Sequence, residues 1–337
     1  MELSNLKVYK DYKILITGVA GFIGSNLLEF FLSKGSYVRG VDNFSTGFKR
    51  NIDETVYGAS KANKDIRFDF IEGDIRNYDI CLKATKGIDI VLHEAALGSV
   101  QRSLNKPLES NSVNVYGTLN LLKASLENKV SRFIYASSSS VYGDSDTLPK
   151  TEEMPLNPKS IYALTKLTAE YYCRLFFELY GLETISLRYF NVFGKRQNPN
   201  SIYSAVIPRF LKNIMQDKPP VIYGDGHQSR DFTYIDNVIY ANYLTTISDN
   251  PAIFGNFYNV ACGNNISLNE IIKIIGRLLN KRIISEYKKP RIGDIKHSLA
   301  SIDKLKVDTG YSKIIDFKTG LKILLNSFMN KTIYKKV

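Results

Sequence analysis

The sequence has 337 residues, of which 44% are hydrophobic and 12% aromatic, a composition typical of a globular protein with about two domains. This composition excludes wholesale disorder, and no apolar run approaches the about 18 residues that a membrane-spanning helix requires. The net charge of +12 arises from scattered lysines without a block of like charges, so we expect a solvated surface and no nucleic-acid partner.

The N-terminal residues and the cysteine pattern indicate a cytoplasmic protein. Residues 1–7 contain no apolar stretch of the kind found in a secretory signal. Cys81, Cys173 and Cys262 are far apart and odd in number, and they combine with three histidines in no metal-like spacing. We therefore expect reduced thiols and no bound metal.

Short β-rich runs alternate with helical patterns over the first part of the chain. Strands are predicted at residues 13–17, 37–41, 66–71, 88–93, 133–137 and 184–188, and helices at about 22–34, 76–86, 107–129 and 158–180. This alternation favours an α/β protein with a Rossmann-type, doubly wound parallel sheet. Later helices are predicted at about 205–216, 236–248, 267–279 and 317–329. We predict a first domain over residues 1–194, to which segments around 230–262 return, and a smaller, interleaved α/β domain over residues 195–337.

A glycine-rich loop joins the first predicted strand to the first predicted helix. It places Gly18, Gly21 and Gly24 in a three-glycine spacing. The first glycine permits a tight turn, the second lets backbone N–H groups approach a pyrophosphate, and the third lets the helix pack on the strand. Because the loop lies between a strand and a helix, the pattern predicts a dinucleotide-binding site.

Acidic residues end the second and third predicted strands. Asp42 can accept hydrogen bonds from a ribose 2′-hydroxyl and would repel a 2′-phosphate, which favours NAD over NADP, although Lys49 and Arg50 lie nearby. Asp74 and Ile75 follow the third strand. They either cap the adenine or form an ordinary strand-terminal turn.

Tyr162 and Lys166 are four residues apart and therefore share one face of a predicted helix. Tyrosine precedes lysine by four residues elsewhere in the chain, but this pair opens a helix after a serine cluster, Ser137–Ser140, at a strand end. Ligands of open α/β sheets bind outside these carboxyl ends. Nearby cations can lower a tyrosine pKa from about 10, so that the phenol can act as a base.

Further ordered motifs extend these patterns over nearly the whole chain. They are HEAA from His93, NVYGT from Asn114, SVYG from Ser140, RYFNVFG from Arg188, RDFTY from Arg230 and RIGD from Arg291. With these motifs the chain resembles extended short-chain dehydrogenases/reductases of the NAD-dependent epimerase/dehydratase family. More narrowly, it is similar to bacterial UDP-N-acetylglucosamine 4-epimerases.

The resemblance implies NAD as the cofactor, bound by the domain at residues 1–194. Asn114 would order the network beside the cofactor, and Lys166 and Tyr189 would contact it. The remaining cofactor contacts implied are Gly18, Gly21, Phe22, Ile23, Gly24, Asp42, Asn43, Ser45, Thr46, Gly47, Asp74, Ile75, Ala95, Ala96 and Tyr162.

The resemblance also implies a UDP-sugar substrate and three catalytic side chains. Tyr162 would be the base, Lys166 its electrostatic partner, and Ser138 the hydroxyl facing the sugar C4 hydroxyl. Asn191 and Arg230 would hold the diphosphate, because a guanidinium donates two geometrically fixed hydrogen bonds. A turn residue and a surface salt bridge remain the alternatives for these two. The other substrate contacts implied are Gly98, Ser99, Ser139, Ser140, Gln197, Ala205, Val206, Ile207, Tyr223, Arg291, Asp294 and Ser298.

Departures within the motifs favour one reaction of the family. Ser139 and Ser140 stand where the sugar 4,6-dehydratases resemble one another in an Asp-Glu pair and where the decarboxylases carry a Glu. The resemblance therefore implies epimerisation at C4, and the small residues Gly98, Ser99 and Ser298 favour N-acetylated sugars or their uronic acids. The alternatives are a UDP-glucose or UDP-glucuronate 4-epimerase and, from another class, a non-catalytic NAD-binding regulator.

The resemblance further implies a homodimer that forms through a four-helix bundle. The helices at about 107–129 and 158–180 would supply it, with Leu119, Leu122, Phe176 and Leu179 as apolar candidates for the seam. Packing of these side chains in the core of one subunit is the alternative. We expect neither a nucleic-acid nor a membrane partner.

Overall fold

A computed structural model describes residues 3–6, 11–62, 65–198, 206–290, 296–313 and 315–333. The strands of these segments are β1 (Lys13–Thr17), β2 (Tyr37–Asp42), β3 (Phe68–Glu72), β4 (Ile90–His93), β5 (Arg132–Ser138), β6 (Glu183–Tyr189), β7 (Val192–Phe193), β8 (Val221–Tyr223), β9 (Ser229–Asp231), β10 (Thr233–Tyr234), β11 (Asn256–Val260), β12 (Asn265–Ser267) and β13 (Glu286–Lys288).

The helices surround these strands. They are α1 (Phe22–Ser33), α2 (Lys49–Ala62), α3 (Tyr78–Thr85), α4 (Val100–Asn105), α5 (Pro107–Asn111), α6 (Gly117–Glu127), α7 (Ile161–Tyr180), α8 (Val206–Met215), α9 (Ile235–Ile247), α10 (Leu268–Leu279), α11 (Asp303–Thr309) and α12 (Phe317–Ile333). A π-helical turn, Ser112–Tyr116, joins α5 to α6, and a 3-10 turn, Ser139–Tyr142, follows β5.

Within the described residues, seven strands form one parallel sheet in the order β3-β2-β1-β4-β5-β6-β11. The strand β1 is an apolar run whose residues Ile14–Thr17 are all buried, as expected for a parallel strand covered on both faces. The strand order reverses direction between β1 and β4, so the crevice at their carboxyl ends is the point where such folds bind ligands. The sheet confirms the predicted Rossmann-type fold.

The six strands predicted from the first part of the sequence are present, and the main difference lies in the helices. The stretch predicted as one helix at about 107–129 is divided into α5, the π-helical turn and α6. The helix α2 was not predicted, because its sequence KRNIDETVYGASKA contains few apolar residues, although those few recur at helical spacing. Predicted helix bounds elsewhere agree within a few residues.

The second half of the chain contains several two-stranded sheets. Parallel pairs form between β7 and β10 and between β8 and β13, and β9 pairs with β12 in antiparallel fashion. The strand β11 instead joins the edge of the large sheet beside β6. No helix in these segments is long and apolar enough to cross a membrane.

A buried ion pair ties α7 to β6 beneath the carboxyl ends of the strands. The Arg188 guanidinium donates to both carboxylate oxygens of Glu170, at 2.9 and 2.8 Å, and the two side chains are 0% and 1% exposed. Arg188 also donates to the Tyr142 hydroxyl at 2.8 Å, which in turn donates to Asn259 on β11 at 2.7 Å. This network fixes α7 against the adjacent strands β6 and β11 and against the 3-10 turn after β5.

Candidate active site

The glycine-rich loop forms a tight cradle at the carboxyl end of β1. Gly18 has a φ of +67°, in the left-handed region that favours glycine. A Cβ atom at Gly24 would lie 2.2 Å from the carbonyl oxygen of Gly18. The close approach that the sequence predicted for this glycine is therefore present. The helix α1 begins directly after the loop with Gly21 as its N-cap and without a side-chain cap, so its first N–H groups and dipole face the cradle.

Asp42 closes one side of this cradle. Its carboxylate accepts hydrogen bonds from the backbone N–H groups of Ala20, at 2.9 Å, and Phe44, at 2.8 Å. Burial raises the pKa of Asp42, although these hydrogen bonds act in the opposite direction. Each carboxylate oxygen can accept a further bond, so Asp42 remains able to bind a ribose hydroxyl.

A continuous cavity connects the cradle with the N-terminal end of α7. Its walls contain nearly all of the predicted cofactor contacts together with Gly98, Ser137 and Glu94. The lining residues are Gly18, Gly21, Phe22, Ile23, Gly24, Val41, Asp42, Asn43, Ser45, Thr46, Gly73, Asp74, Ile75, Glu94, Ala95, Ala96, Leu97, Gly98, Val113, Ala136, Ser137, Tyr162, Lys166 and Tyr189. The cavity is therefore formed by segments far apart in sequence, at the point where the strand order reverses.

Two predicted cofactor residues lie just behind the cavity wall. Gly47 packs so closely on Ala20 that a Cβ atom would lie 2.8 Å from the Ala20 side chain. Asn114, in the π-helical turn, accepts a bond from the Leu97 N–H at 2.8 Å and donates to Thr165 at 3.1 Å. Asn114 thus holds the cavity-lining segment at Leu97 against α7.

Tyr162 and Lys166 face the cavity from the first turns of α7, which Ser160 caps by accepting from the Ala163 N–H. Burial raises the pKa of Tyr162, and a hydrogen bond with Ser138 lowers it. Burial lowers the pKa of Lys166 to about 8, while the carboxylates of Glu94 and Glu170 act in the opposite direction.

The sequence argument assigned Lys166 as the electrostatic partner of Tyr162. The Lys166 ammonium donates to the carbonyl oxygen of Ala136 at 2.6 Å. The backbone of β5 thus holds the Lys166 ammonium beside the cavity that Tyr162 also lines.

The serine cluster turns away from the sheet after β5. Ser138 caps the 3-10 turn by accepting a bond from the Ser140 N–H at 3.2 Å, and the Ser140 hydroxyl lies 3.0 Å from the Ser138 hydroxyl. Ser139 belongs to the same turn. The structure therefore joins Ser138 to Tyr162 on one side and to Ser140 on the other.

Several predicted substrate residues meet near the end of β6. Asn191 has a φ of +36°, and its side-chain amide donates to the carbonyl oxygen of Asp231, at 3.1 Å, and to the Ser298 hydroxyl, at 3.2 Å. Arg230 donates to the carbonyl oxygens of Ser229 and Lys296, each at 2.9 Å. Asn191, Arg230 and Ser298 thus come together from three distant segments.

The remaining predicted substrate residues are more dispersed. The Gln197 amide donates to the Val192 carbonyl at 3.1 Å, while its side-chain oxygen is buried and has no hydrogen-bond partner among the described residues. Tyr223 ends β8, and Val206 begins α8. The side chain of Ile207 is 1% exposed and packs in the core, which leaves its backbone for the predicted contact. Ala205, Arg291 and Asp294 lie outside the described residues.

Sequence reasoning assigned no role to Glu94. This residue follows the last residue of β4 and lines the cavity, and the Tyr189 hydroxyl donates to its carboxylate at 2.8 Å. The signal that could have revealed it is a carboxyl group directly after a buried strand, at the sheet edge where ligands bind. The described residues contain no cluster of His, Cys, Asp and Glu that could hold a metal.

Comparison with known proteins identifies the family of the chain and several of its relatives. The sequence model of the NAD-dependent epimerase/dehydratase family matches residues 14–261. A UDP-glucuronate 4-epimerase of Thermodesulfobacterium geofontis is 36% identical, over 93% of this chain and 94% of the relative. A UDP-glucose 4-epimerase of Mycolicibacterium smegmatis is 32% identical, over 95% of this chain and 99% of the relative.

A solved structure extends the likeness to the fold. The UDP-N-acetylglucosamine 4-epimerase of Methanobrevibacter ruminantium M1, in complex with UDP-N-acetylmuramic acid, superimposes with a TM-score of 0.88. It is 37% identical, and the match covers 96% of this chain and 99% of the other. These three proteins share one reaction type in their names and differ in the sugar.

Proposed function

The chain belongs to the NAD-dependent epimerase/dehydratase family, and from this premise we propose that it is a UDP-sugar 4-epimerase that acts on UDP-N-acetylhexosamines. We assign NAD binding to residues 1–194, with segments around 230–262, and UDP-sugar binding mainly to residues 195–337. Relatives across nearly the full length of the chain are named as 4-epimerases, which supports the reaction type.

The observation that carries this proposal is the position of Tyr162 and Lys166 at one end of the cavity, with Ser138 hydrogen-bonded to Tyr162. The dinucleotide cradle occupies the opposite end, so that a bound NAD would extend from the glycine loop to Tyr162. Ser139 and Ser140 follow Ser138, where a dehydratase of this family would carry an acid and a base for elimination. The arrangement suits a reaction that moves one proton and returns it.

The side chains of this site then have distinct tasks. Tyr162 accepts the proton of the sugar C4 hydroxyl, Ser138 holds that hydroxyl by hydrogen bonding, and Lys166 favours the phenolate through its charge. A bound NAD would supply the acceptor, and then the donor, of the C4 hydride. Asn191 and Arg230 hold the diphosphate while the 4-keto sugar rotates, so that its other face is turned to the cofactor site for return of the hydride. The proton that Tyr162 holds then returns to the sugar oxygen.

Two features support a sugar with an N-acetyl group at C2. A Cβ atom at Gly98, on the cavity wall, would meet no atom within 4 Å, so the wall is open at this point. Ser298 is small, and its hydroxyl is fixed by Asn191 and by the Asp231 N–H, at 3.2 and 3.4 Å. The open wall at Gly98 leaves room for a substituent larger than hydroxyl, and Ser298, which is 9% exposed, supports the proposal by its small side chain alone.

Incubation of the protein with separate UDP-sugars tests the proposal. UDP-N-acetylglucosamine, UDP-glucose and UDP-glucuronate are each supplied, and the epimers are separated by chromatography. We expect the highest kcat/KM with UDP-N-acetylglucosamine. A preference for UDP-glucose or UDP-glucuronate would replace the proposed sugar, and no turnover of any UDP-sugar would overturn the proposed reaction.

We also propose a homodimer, with its seam on α7. Leu164, Tyr171, Leu175 and Leu179 are between 44% and 66% exposed and recur at helical spacing, which makes a continuous apolar face. Leu122 is fully buried in the core, so its assignment to the seam was wrong. Light scattering should show a dimer at micromolar concentration, and the substitution Leu175→Glu should give monomer. A monomeric wild-type protein would contradict the proposal.

A further inference from the structure

Glu94 places a carboxyl group at the reactive end of the cavity, where the mechanism above does not use it. The residue lines the same cavity as Tyr162 and Lys166 and remains partly accessible from it. Its carboxylate accepts the hydroxyl proton of Tyr189 at 2.8 Å, and that hydroxyl accepts from the Asn242 amide at 2.8 Å. The orientation of Glu94 is therefore set by two further elements, β6 and α9.

Several ionisable groups surround Glu94, and its charge affects their pKa values. Lys166 faces it from α7 and favours the carboxylate form, while Tyr189 on β6 and Tyr135 on β5 are buried phenols. Burial raises the pKa of Glu94 to about 7 in spite of these favourable contacts. Conversely, the carboxylate of Glu94 raises the pKa of Lys166, and so does the carboxylate of Glu170, which lies one turn further along α7. Glu94 and Lys166 line the same cavity, so their opposite charges favour each other's charged forms.

We propose that Glu94 is a positioning residue that acts as the counter-ion of the reactive end, where its carboxylate balances the positive charge of Lys166 and of an oxidised nicotinamide ring. It acts on the base indirectly, because it keeps Lys166 protonated and so supports ionisation of Tyr162. The inference rests on the proposed function for its activity measurement, whereas its binding measurement requires only that the cavity binds NAD.

The substitution Glu94→Gln separates a role in charge from a role in shape. Glutamine has the same length, and its side-chain oxygen can still accept the Tyr189 hydroxyl, so a purely structural role leaves the pH profile unmoved. Loss of the charge lets Lys166 lose its proton at lower pH. We expect the alkaline limb of the kcat/KM profile to move down by about one pH unit.

The wild-type enzyme supplies an internal comparison along the pH axis. At pH 6 Glu94 is mostly protonated, because its pKa is about 7, so the wild type and Glu94→Gln should converge there and diverge as the pH rises to 8.5. Glu94→Asp keeps the charge and should retain the wild-type position of the alkaline limb even if the shorter side chain lowers the rate. Superimposable profiles of the wild type and Glu94→Gln would overturn the proposal.

A second measurement needs no substrate. Calorimetry in buffers of different ionisation enthalpy gives the protons released when NAD or NADH binds at pH 7. NAD carries a positive ring and NADH does not, so the wild type should release on the order of half a proton more with NAD, the fraction of Glu94 still protonated. Glu94→Gln should lose this difference. An equal count in both proteins would overturn the inference, whereas absence of epimerase activity with a normal count would overturn only the proposed function.

Discussion

The cofactor side and the substrate side of the cavity are built by different means. The cofactor side consists of backbone, glycines and a helix N-terminus between Gly18 and Gly24, closed by Asp42 at the next strand end. The substrate side consists of side chains such as Asn191, Arg230 and Ser298, which are brought together over 107 residues of chain. One region is a local backbone geometry and the other is a product of the whole fold.

This difference has a consequence for how the two regions respond to change. A backbone cradle tolerates no added atom at its close contacts but needs no particular side chain there. An assembly of side chains tolerates substitutions at the surrounding positions, but its binding depends on a few polar side chains. The following substitutions act on one region while the other is monitored.

The largest effect is expected where the two regions meet. Tyr162→Phe keeps the ring and its packing but removes the proton acceptor, so turnover should fall by about 10²–10⁴-fold. NAD affinity, measured by calorimetry, should remain within a few-fold of the wild type. Near-normal turnover in a folded, NAD-loaded variant would show that the base lies elsewhere.

Arg230→Ala should affect the substrate side alone. Loss of charge-assisted hydrogen bonds to a diphosphate costs about 1.5–3 kcal/mol, which raises the KM for the UDP-sugar by about 10–150-fold. The affinity for NAD should be unchanged, because Arg230 donates to the carbonyl oxygens of Ser229 and Lys296, on the substrate side. Parallel losses of NAD and UDP-sugar affinity would contradict the division into two regions.

Gly24→Ala should affect the cofactor side. The added Cβ would lie 2.2 Å from a backbone oxygen, so the loop must shift, at a cost in unfolding free energy of about 1–3 kcal/mol together with weaker NAD binding. Gly58→Ala is the matched control, since its Cβ would meet nothing within 4 Å on α2. That control should leave NAD affinity unchanged and stabilise the protein by up to about 1 kcal/mol in thermal or denaturant unfolding.

Ser298→Tyr should give the smallest effect, a change in which sugar the substrate side prefers. The larger side chain fills the space proposed for an acetamido group, so the ratio of kcat/KM for UDP-N-acetylglucosamine over UDP-glucose should fall about tenfold or more. Ser298→Ala removes the hydroxyl without adding volume and should leave that ratio unchanged. An equal loss on both sugars would indicate that the acetamido group is accommodated elsewhere, for example at Gly98.

The same contrast explains what the sequence could predict. The glycine loop, Asp42 and the Tyr162/Lys166 pair were recognisable because each has a short spacing with a direct geometric meaning. The pairing of Lys166 with the Ala136 carbonyl and the inward packing of Ile207 were not, because they depend on how α7 and α8 pack on the rest of the fold. Glu94 was missed because its importance arises from Tyr189, 95 residues later.

The contact between Glu170 and Arg188 constrains how this molecule can be altered. A charge left alone in a dry interior is far more costly than a pair, so replacement of one partner should destabilise the protein by about 3–5 kcal/mol. Replacement of both by apolar side chains of similar volume can be nearly neutral, provided that Tyr142 and Ser137 find other partners. The two positions must therefore change together, both in evolution and in protein design. A single substitution at either position gives a poorly folded protein, whereas simultaneous substitution of both residues does not.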